Sequence, residues 1–327
     1  MCKKIVVITS INSPTKAVKA FCSFKDIEVI VVADVKTPDP WIWLEETDVT
    51  YLSIDSQDPD HYMELPINSY SRKMIGYLEA IRRGADIIID TDDDNIPYLK
   101  WSLPEKESPL FVTNPGFVNI YKHFTDKLIW PRGLPFQFID NDFNAFDTCL
   151  DGIKIGVWQG LADKDPDVDA VYRLMDQGAT SFKVKRPIVL DIGTVSPFNS
   201  QNTSFVKELF PLLYLPVTVN QRFADILRGY VAQPIMWAAG YLLGVTNAGV
   251  YQERNQHDLV ADFMDEIPCY MQSEIAFNAV NKVVKANNSI TENLEVAYSY
   301  LRDIEIVTDQ ELIYLYNWLE ALEKLNG

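Results

Sequence analysis

Ile87-Ile88-Ile89-Asp90-Thr91-Asp92-Asp93-Asp94-Asn95 decides the fold: three β-branched residues run straight into a cluster of carboxylates. Continuous apolar runs of this kind form strands covered on both faces, and open α/β sheets bind ligands outside the carboxyl ends of such strands. The acids are therefore expected in a cleft. Upstream, KIVVITS at 4–10 and IEVIVVA at 27–33 repeat the β-branched pattern, with a helix-length segment at 13–24 between them. In 70–83, Met74, Tyr77, Leu78 and Ile81 recur at helical spacing and Gly84 follows as a C-cap, ahead of the strand predicted at 86–90. This β-α-β-α-β succession predicts a doubly wound nucleotide-binding half.

Downstream, 111–230 is richer in prolines, glycines and aromatics, and strands are expected at 117–121, 152–158 and 187–191 between long functional loops. After Pro268 the pattern turns helical. Ser289 with Glu292 and Thr308 with Glu311 have capping-box spacing, and Leu312, Leu315, Leu319 and Leu322 form one apolar stripe. The expected division is an α/β domain over 1–268 and a helical C-terminal appendage over 269–327, whose helices could pair two copies into a homo-oligomer.

With 327 residues, 47% of them hydrophobic and 23% charged, the chain is long enough to bury a full core. The formal net charge of −17 opposes binding to nucleic acid and anionic membranes. An anionic small ligand then needs a cation or local Lys and Arg residues. The apolar stretch at 234–245 is about half the length of a spanning helix and carries Gly240 and Gly244, so no integral membrane segment is expected. Cys2, Cys22, Cys149 and Cys269 are scattered without a CxxC pair, which points to reduced thiols and a cytoplasmic protein.

In extended chain Asp92 and Asp94 project to one side, and two convergent carboxylates make a hard-oxygen site for Mg²⁺ or Mn²⁺ able to bridge a diphosphate. The alternative is a solvated acidic turn. A second enzyme reading takes Asp90-x-Asp92 as the nucleophile motif of haloacid-dehalogenase-type phosphatases, although Asp94 stands where that motif wants Thr or Val. Arg72 and Lys73 open the preceding helix, where phosphate is favoured, and Thr9, Asp93 and Asp34 are further ligand candidates, with Asp34 placed either to accept from a base or ribose or to form a turn. PFNSQNTS at 197–204 gathers hydroxyls and amides suited to sugar hydroxyls, with Asn199 and Gln201 as candidates, or is simply a polar loop. Asp225 lies three residues from both Arg222 and Arg228, as a base or as an ion-paired group; His257 is one of only three histidines. Asp163, Asp165, Asp167 and Asp169 offer a further cation site or a turn around Pro166.

Asp92-Asp93-Asp94-Asn95 with Pro97, the segment from Gly160-Leu161-Ala162-Asp163 to Tyr172-Arg173-Leu174, Pro197 to Asn202, Asp225 to Tyr230, and Arg254-Asn255 with His257-Asp258 occur in that order. Together they resemble the STELLO glycosyltransferase family over residues 4–270, and more distantly the plant reversibly glycosylated polypeptides, which are UDP-arabinopyranose mutases. The resemblance implies a GT-A-type fold, a Rossmann-like mixed sheet flanked by helices, that uses a nucleoside diphosphate sugar (UDP or GDP) and a divalent cation. It implies Asp94 on the metal, Asp92 facing the ribose, Asp225 near the acceptor and His257 completing the metal shell. Plant STELLO proteins are Golgi-anchored, whereas no anchor is expected here.

The function expected is metal-dependent transfer of a hexosyl or pentosyl group from the donor to a glycan or small-molecule acceptor hydroxyl. A non-catalytic nucleotide-sugar-binding scaffold and a nucleotide-sugar mutase are the alternatives, since fold alone does not prove turnover.

Overall fold

The computed structural model describes residues 2–38, 49–104, 108–147, 152–176, 178–253 and 258–326. The chain opens with β1 (Lys4–Ser10), α1 (Lys16–Phe21), β2 (Ile27–Ala33) and β3 (Val49–Leu52), then α2 (Lys73–Arg82) and β4 (Ile87–Thr91). A single 3-10 turn, Tyr70–Arg72, leads into α2, and Gly84 ends it at φ +78°, the left-handed conformation that its C-cap role requires. Short strands and helices follow: β5 (Asn95–Pro97), β6 (Leu110–Val112), β7 (Gly116–Phe117), α3 (Tyr121–Phe124) and β8 (Ala145–Phe146). Next come β9 (Lys154–Asp163), α4 (Ala170–Met175), β10 (Ile188–Leu190), β11 (Thr194–Val195) and β12 (Asn202–Val206). The chain ends with α5 (Gln221–Ala238), β13 (Tyr241–Gln252), α6 (Leu259–Asp265), α7 (Ile267–Val283), α8 (Ile290–Asp303) and α9 (Asp309–Asn326).

The main sheet runs β3-β2-β1-β4-β12-β9-β13-β10-β6-β8, with β5 paired to β13. Its first four strands are mutually parallel. Strand β12 then enters antiparallel to both neighbours. This is the α/β mixed sheet flanked by helices that the sequence predicts, with helices at the C-terminus.

Burial on both faces explains the β-branched runs. Along β1, Ile5 and Val7 join the larger core cluster, and Val6 and Ile8 join the cluster on the other face. Helix α2 packs tightly on the first face because Gly76 has no side chain: a Cβ there would meet methyl groups of Val7 and Val32.

Two local readings change in tertiary context. The last three residues of the stretch at 197–204, for which a polar loop is one expectation, belong to central strand β12. Its Thr203 hydroxyl sits 2.6 Å from Asn199 O and 3.0 Å from Gln159 Oε1, so the buried polar groups are satisfied. The expected strand at 117–121 is only two residues of strand followed by helix α3. Ser289 and Glu292 form the predicted capping box. Glu311 does not cap with Thr308: its buried carboxylate accepts from Tyr214 Oη and from Val217 N and Thr218 N, at 2.9 and 2.7 Å for the two amides.

The boundary expected at 268/269 falls within α7. One buried cluster runs from Ile5 and Ile30 through Phe223 and Tyr230 to Cys269, Leu301 and Trp318. Among the described residues no helix is long and apolar enough to cross a membrane.

Candidate active site

At the carboxyl ends of β1, β2 and β4 a cavity of about 470 Å³ opens. Six aspartates line it (Asp34, Asp92, Asp93, Asp94, Asp167 and Asp225), with five cationic side chains from Lys36, Arg72, Arg132, Arg173 and Arg222. Thr9, Asn199 and Gln201 also face it. Residues separated by up to about two hundred positions thus meet, and the convergence of Asp225 with Asp94 matches the sequence-based expectation.

Strand β4 ends at Thr91, so Asp92, Asp93 and Asp94 lie in a turn and not in the extended chain assumed from the sequence. All three still reach the cavity, each half-buried. Asp93 accepts hydrogen bonds from Ser10 Oγ and from Asn12 Nδ2, the latter at 3.0 Å. Asp94 accepts from Gln252 Nε2 at 2.8 Å, and Gln252 in turn accepts from Gln201 Nε2 at 2.7 Å. A relay of two amides therefore joins the acidic turn to the start of β12.

Asp92 accepts from Lys73 Nζ at 2.8 Å and Tyr70 Oη at 2.9 Å. Burial of the carboxyl raises its pKa, and the nearby Asp90 adds to the rise against the opposing pull of Lys73. Lys73 does not line the cavity as a phosphate-facing cation: its ammonium is fully buried, 2.7 Å from Asp90. Arg228 holds the other oxygen of Asp90 at 2.8 Å and also donates to Ser200 Oγ at 2.9 Å. Burial works against ionising Asp90, yet the two cations keep its pKa below the ordinary value. Sealed between them, Asp90 is in no position to attack a substrate, which removes the phosphatase-type reading.

Arg72 does reach the wall, but its guanidinium is largely committed inward, to Leu65 O at 3.0 Å and to Gln57 Oε1. Asp34 spends its carboxylate on backbone amides of Val35, Asn68 and Ser69 at 2.6, 2.9 and 3.1 Å. It fixes the loop that leads to Tyr70.

Asp225 is not paired with Arg222 or Arg228. Arg222 instead binds Glu266, and the partner of Asp225 is Arg132, which composition and spacing did not single out. Arg132 also grips Asp167 through Nε and Nη2 at 2.8 and 3.0 Å. Burial alone would lower the Arg132 pKa; the two carboxylates outweigh it and hold the value well above normal. Asn199 Nδ2 donates to Asp167 at 2.7 Å, so this amide braces the acidic wall.

Asp165 pairs with Arg173, and Asp163 accepts from Tyr98 Oη at 2.9 Å. Asp169 caps α4. Paired and capping, these acids do not form the further cation site. His257 lies outside the described residues. Among those described, no three His, Cys, Asp or Glu side chains assemble into a metal cage. A donor set of one or two cleft carboxylates fits Mg²⁺ or Mn²⁺ only in the mode where substrate phosphates and water supply the remaining oxygens.

No family profile matches the chain. Two curated relatives come from Arabidopsis thaliana. "Probable glycosyltransferase STELLO2" is 26% identical across 98% of this chain and 44% of its own length. "Probable glycosyltransferase STELLO1" is 30% identical across 74% of this chain and 34% of its own length. The chain thus spans less than half the length of the relatives it matches. Among solved structures, glucosyl-3-phosphoglycerate synthase from Mycobacterium tuberculosis in complex with phosphoglyceric acid is 12% identical over 84% of this chain and 79% of that one, at a TM-score of 0.44. The same synthase in complex with Mn²⁺ and UDP-glucose gives 12% over 85% and 78%, at 0.41. Across nearly the whole chain the sequence is thus related to the STELLO glycosyltransferases.

Proposed function

We propose that the cleft binds a nucleoside diphosphate sugar and transfers its sugar to an acceptor hydroxyl, as a hexosyl- or pentosyltransferase. The observation that carries this reading is the meeting of the Asp92-Asp93-Asp94 turn and the Arg132-held Asp225 on one cavity of about 470 Å³, a volume suited to a small-molecule ligand. Kinship with glycosyltransferases supports the same chemistry.

Asp94 would hold Mg²⁺ or Mn²⁺, its carboxylate oriented by the amide of Gln252. When bound, the cation supplies charge that neutralises the diphosphate and the departing nucleoside diphosphate. Arg222 and Arg173 at the wall and Lys36 at the rim add positive charge where the aspartates would otherwise repel an anion. Tyr70 and Lys73 orient Asp92 toward the donor, and the Gln201–Gln252 relay keeps the acidic turn in register with the acceptor wall. Asp225 accepts from Arg132 on both oxygens and from Ser200 N at 3.3 Å. So engaged, it orients the acceptor hydroxyl in place of abstracting its proton.

Incubation with a panel of UDP- and GDP-sugars, Mn²⁺ or Mg²⁺ and candidate acceptors tests the reading. Nucleoside diphosphate release with sugar transfer supports it. Sugar conversion without release identifies a mutase, and binding with neither identifies a scaffold.

A further inference from the structure

A second hollow, of about 590 Å³, lies between the segment at 98–104 and strands β9 and β13, with Asn202 at the start of β12 in its wall. Successive residues divide between the two: Gln201 faces the cleft and Asn202 faces the hollow, as strand alternation requires. The chemistry of the two linings differs sharply. Eleven charged side chains line the cleft, whereas among the described residues Lys100 is the single charged one around the hollow.

Two glycines line its floor: a Cβ at Gly160 would strike the Asn202 amide, and one at Gly249 would come within 2.9 Å of Trp101. Outside the lining, Gly244 leaves room for the ring of Trp158. The rim is held over β13 by two backbone hydrogen bonds, Tyr98 N to Gly249 O at 3.0 Å and Trp101 N to Tyr98 O at 2.8 Å. Trp101 donates its indole N–H to Asn202 Oδ1 at 3.1 Å, which orients the amide with Nδ2 as its remaining donor. Tyr98 is 37% exposed at the rim and Trp158 is half-buried.

We propose that this hollow is a binding site for a neutral oligosaccharide. The C–H faces of a sugar ring carry slight positive charge and pack on the negative faces of Trp and Tyr, and its hydroxyls pair with amide and backbone groups. Among the described lining residues an anionic ligand finds only Lys100 to balance it. A lipid would need a lining without Asn202, Ser102 and Thr246. The site is independent of the donor reading, because it shares no lining charge with the cleft and is assayed without nucleotide.

The test is tryptophan fluorescence or saturation-transfer NMR on the whole chain, without nucleotide or metal. The probes are neutral gluco-, xylo- and arabino-oligosaccharides of about three to five residues, with oligogalacturonate as the charged comparison. Binding of at least one neutral probe, weakened tenfold or more by Tyr98→Ala and by Trp158→Ala, is expected. Tyr98 sits at the rim, so Tyr98→Ala remains informative if Trp158→Ala fails to fold. UDP and Mn²⁺ titrated into the same variants separate the two sites: a donor-binding failure shared with the native chain counts against the proposed function alone. No response to any neutral probe, equal binding of oligogalacturonate, or binding unchanged in Tyr98→Ala overturns the proposal.

Discussion

Arg132 Nη2 lies 3.1 and 3.0 Å from the two carboxylate oxygens of Asp225, 93 positions along the chain. Both oxygens are occupied, so Asp225 is expected to position the acceptor. Asp225→Asn should lower turnover by about 10²-fold, the scale of a small misplacement of reacting groups, while UDP affinity is retained. The discriminating measurement is the pH profile of kcat. Its acid limb should persist in the variant; disappearance of that limb would identify Asp225 as the base.

Asp94→Asn should abolish metal-dependent binding of the nucleoside diphosphate and leave the melting temperature nearly unchanged. The carboxylate is half-buried at the cleft and not part of the core, and Gln252 Nε2 can still donate to the amide oxygen. Calorimetry with UDP or GDP, with and without Mn²⁺, measures this. Affinity equal to that of the native chain rules out the metal assignment.

Lys73→Met should destabilise the fold by about 3 kcal/mol or more, because removing one partner strands a buried charge. Lys73 and Asp90 are both fully buried, and only Arg228 would remain to compensate Asp90. Urea denaturation monitored by tryptophan fluorescence reads the change. A loss below about 1 kcal/mol, the scale of an exposed pair, contradicts the buried-pair account.

Asp169 gives a pH signature. Burial at the N-terminus of α4 raises its carboxyl from the ordinary 3.8 to about 6, despite hydrogen bonds from Tyr172 N and Trp130 Nε1. Between those values the folded chain binds a proton that the unfolded chain releases. The group's contribution is therefore greatest below pH 3.8 and declines as pH rises through about 6, by up to about 3 kcal/mol. The stability difference between the native chain and Asp169→Asn should move in favour of the variant across that window. A difference that is flat from pH 4 to 7 rejects the assignment.

Much of the frame was legible. Continuous β-branched runs marked β1, β2 and β4 because a strand covered on both faces favours apolar side chains at successive positions. Gly84 and Ser289 marked helix ends because capping is local chemistry. Strand β12 was hidden: its Asn202, Thr203 and Ser204 have a loop's composition, and only pairing with β4 and β9 makes them strand. Glu311 fitted a local capping pattern, yet its carboxylate binds a loop 93 to 97 positions away.

By itself the sequence determined the α/β class, the strand-end location of Asp92, Asp93 and Asp94, and kinship with a glycosyltransferase family, all of which depend on short-range pattern or aligned residues. Only the tertiary structure decided which charges meet. Lys73 was drawn inward to Asp90, Arg228 was taken from Asp225, and Arg132 was supplied in its place. A buried charge must find an opposite partner because its desolvation is costly, but local sequence does not specify which distant residue that partner will be. Chain topology does, by bringing the end of β4, the segment before β12 and the first turns of α5 together at the carboxyl ends of the parallel strands.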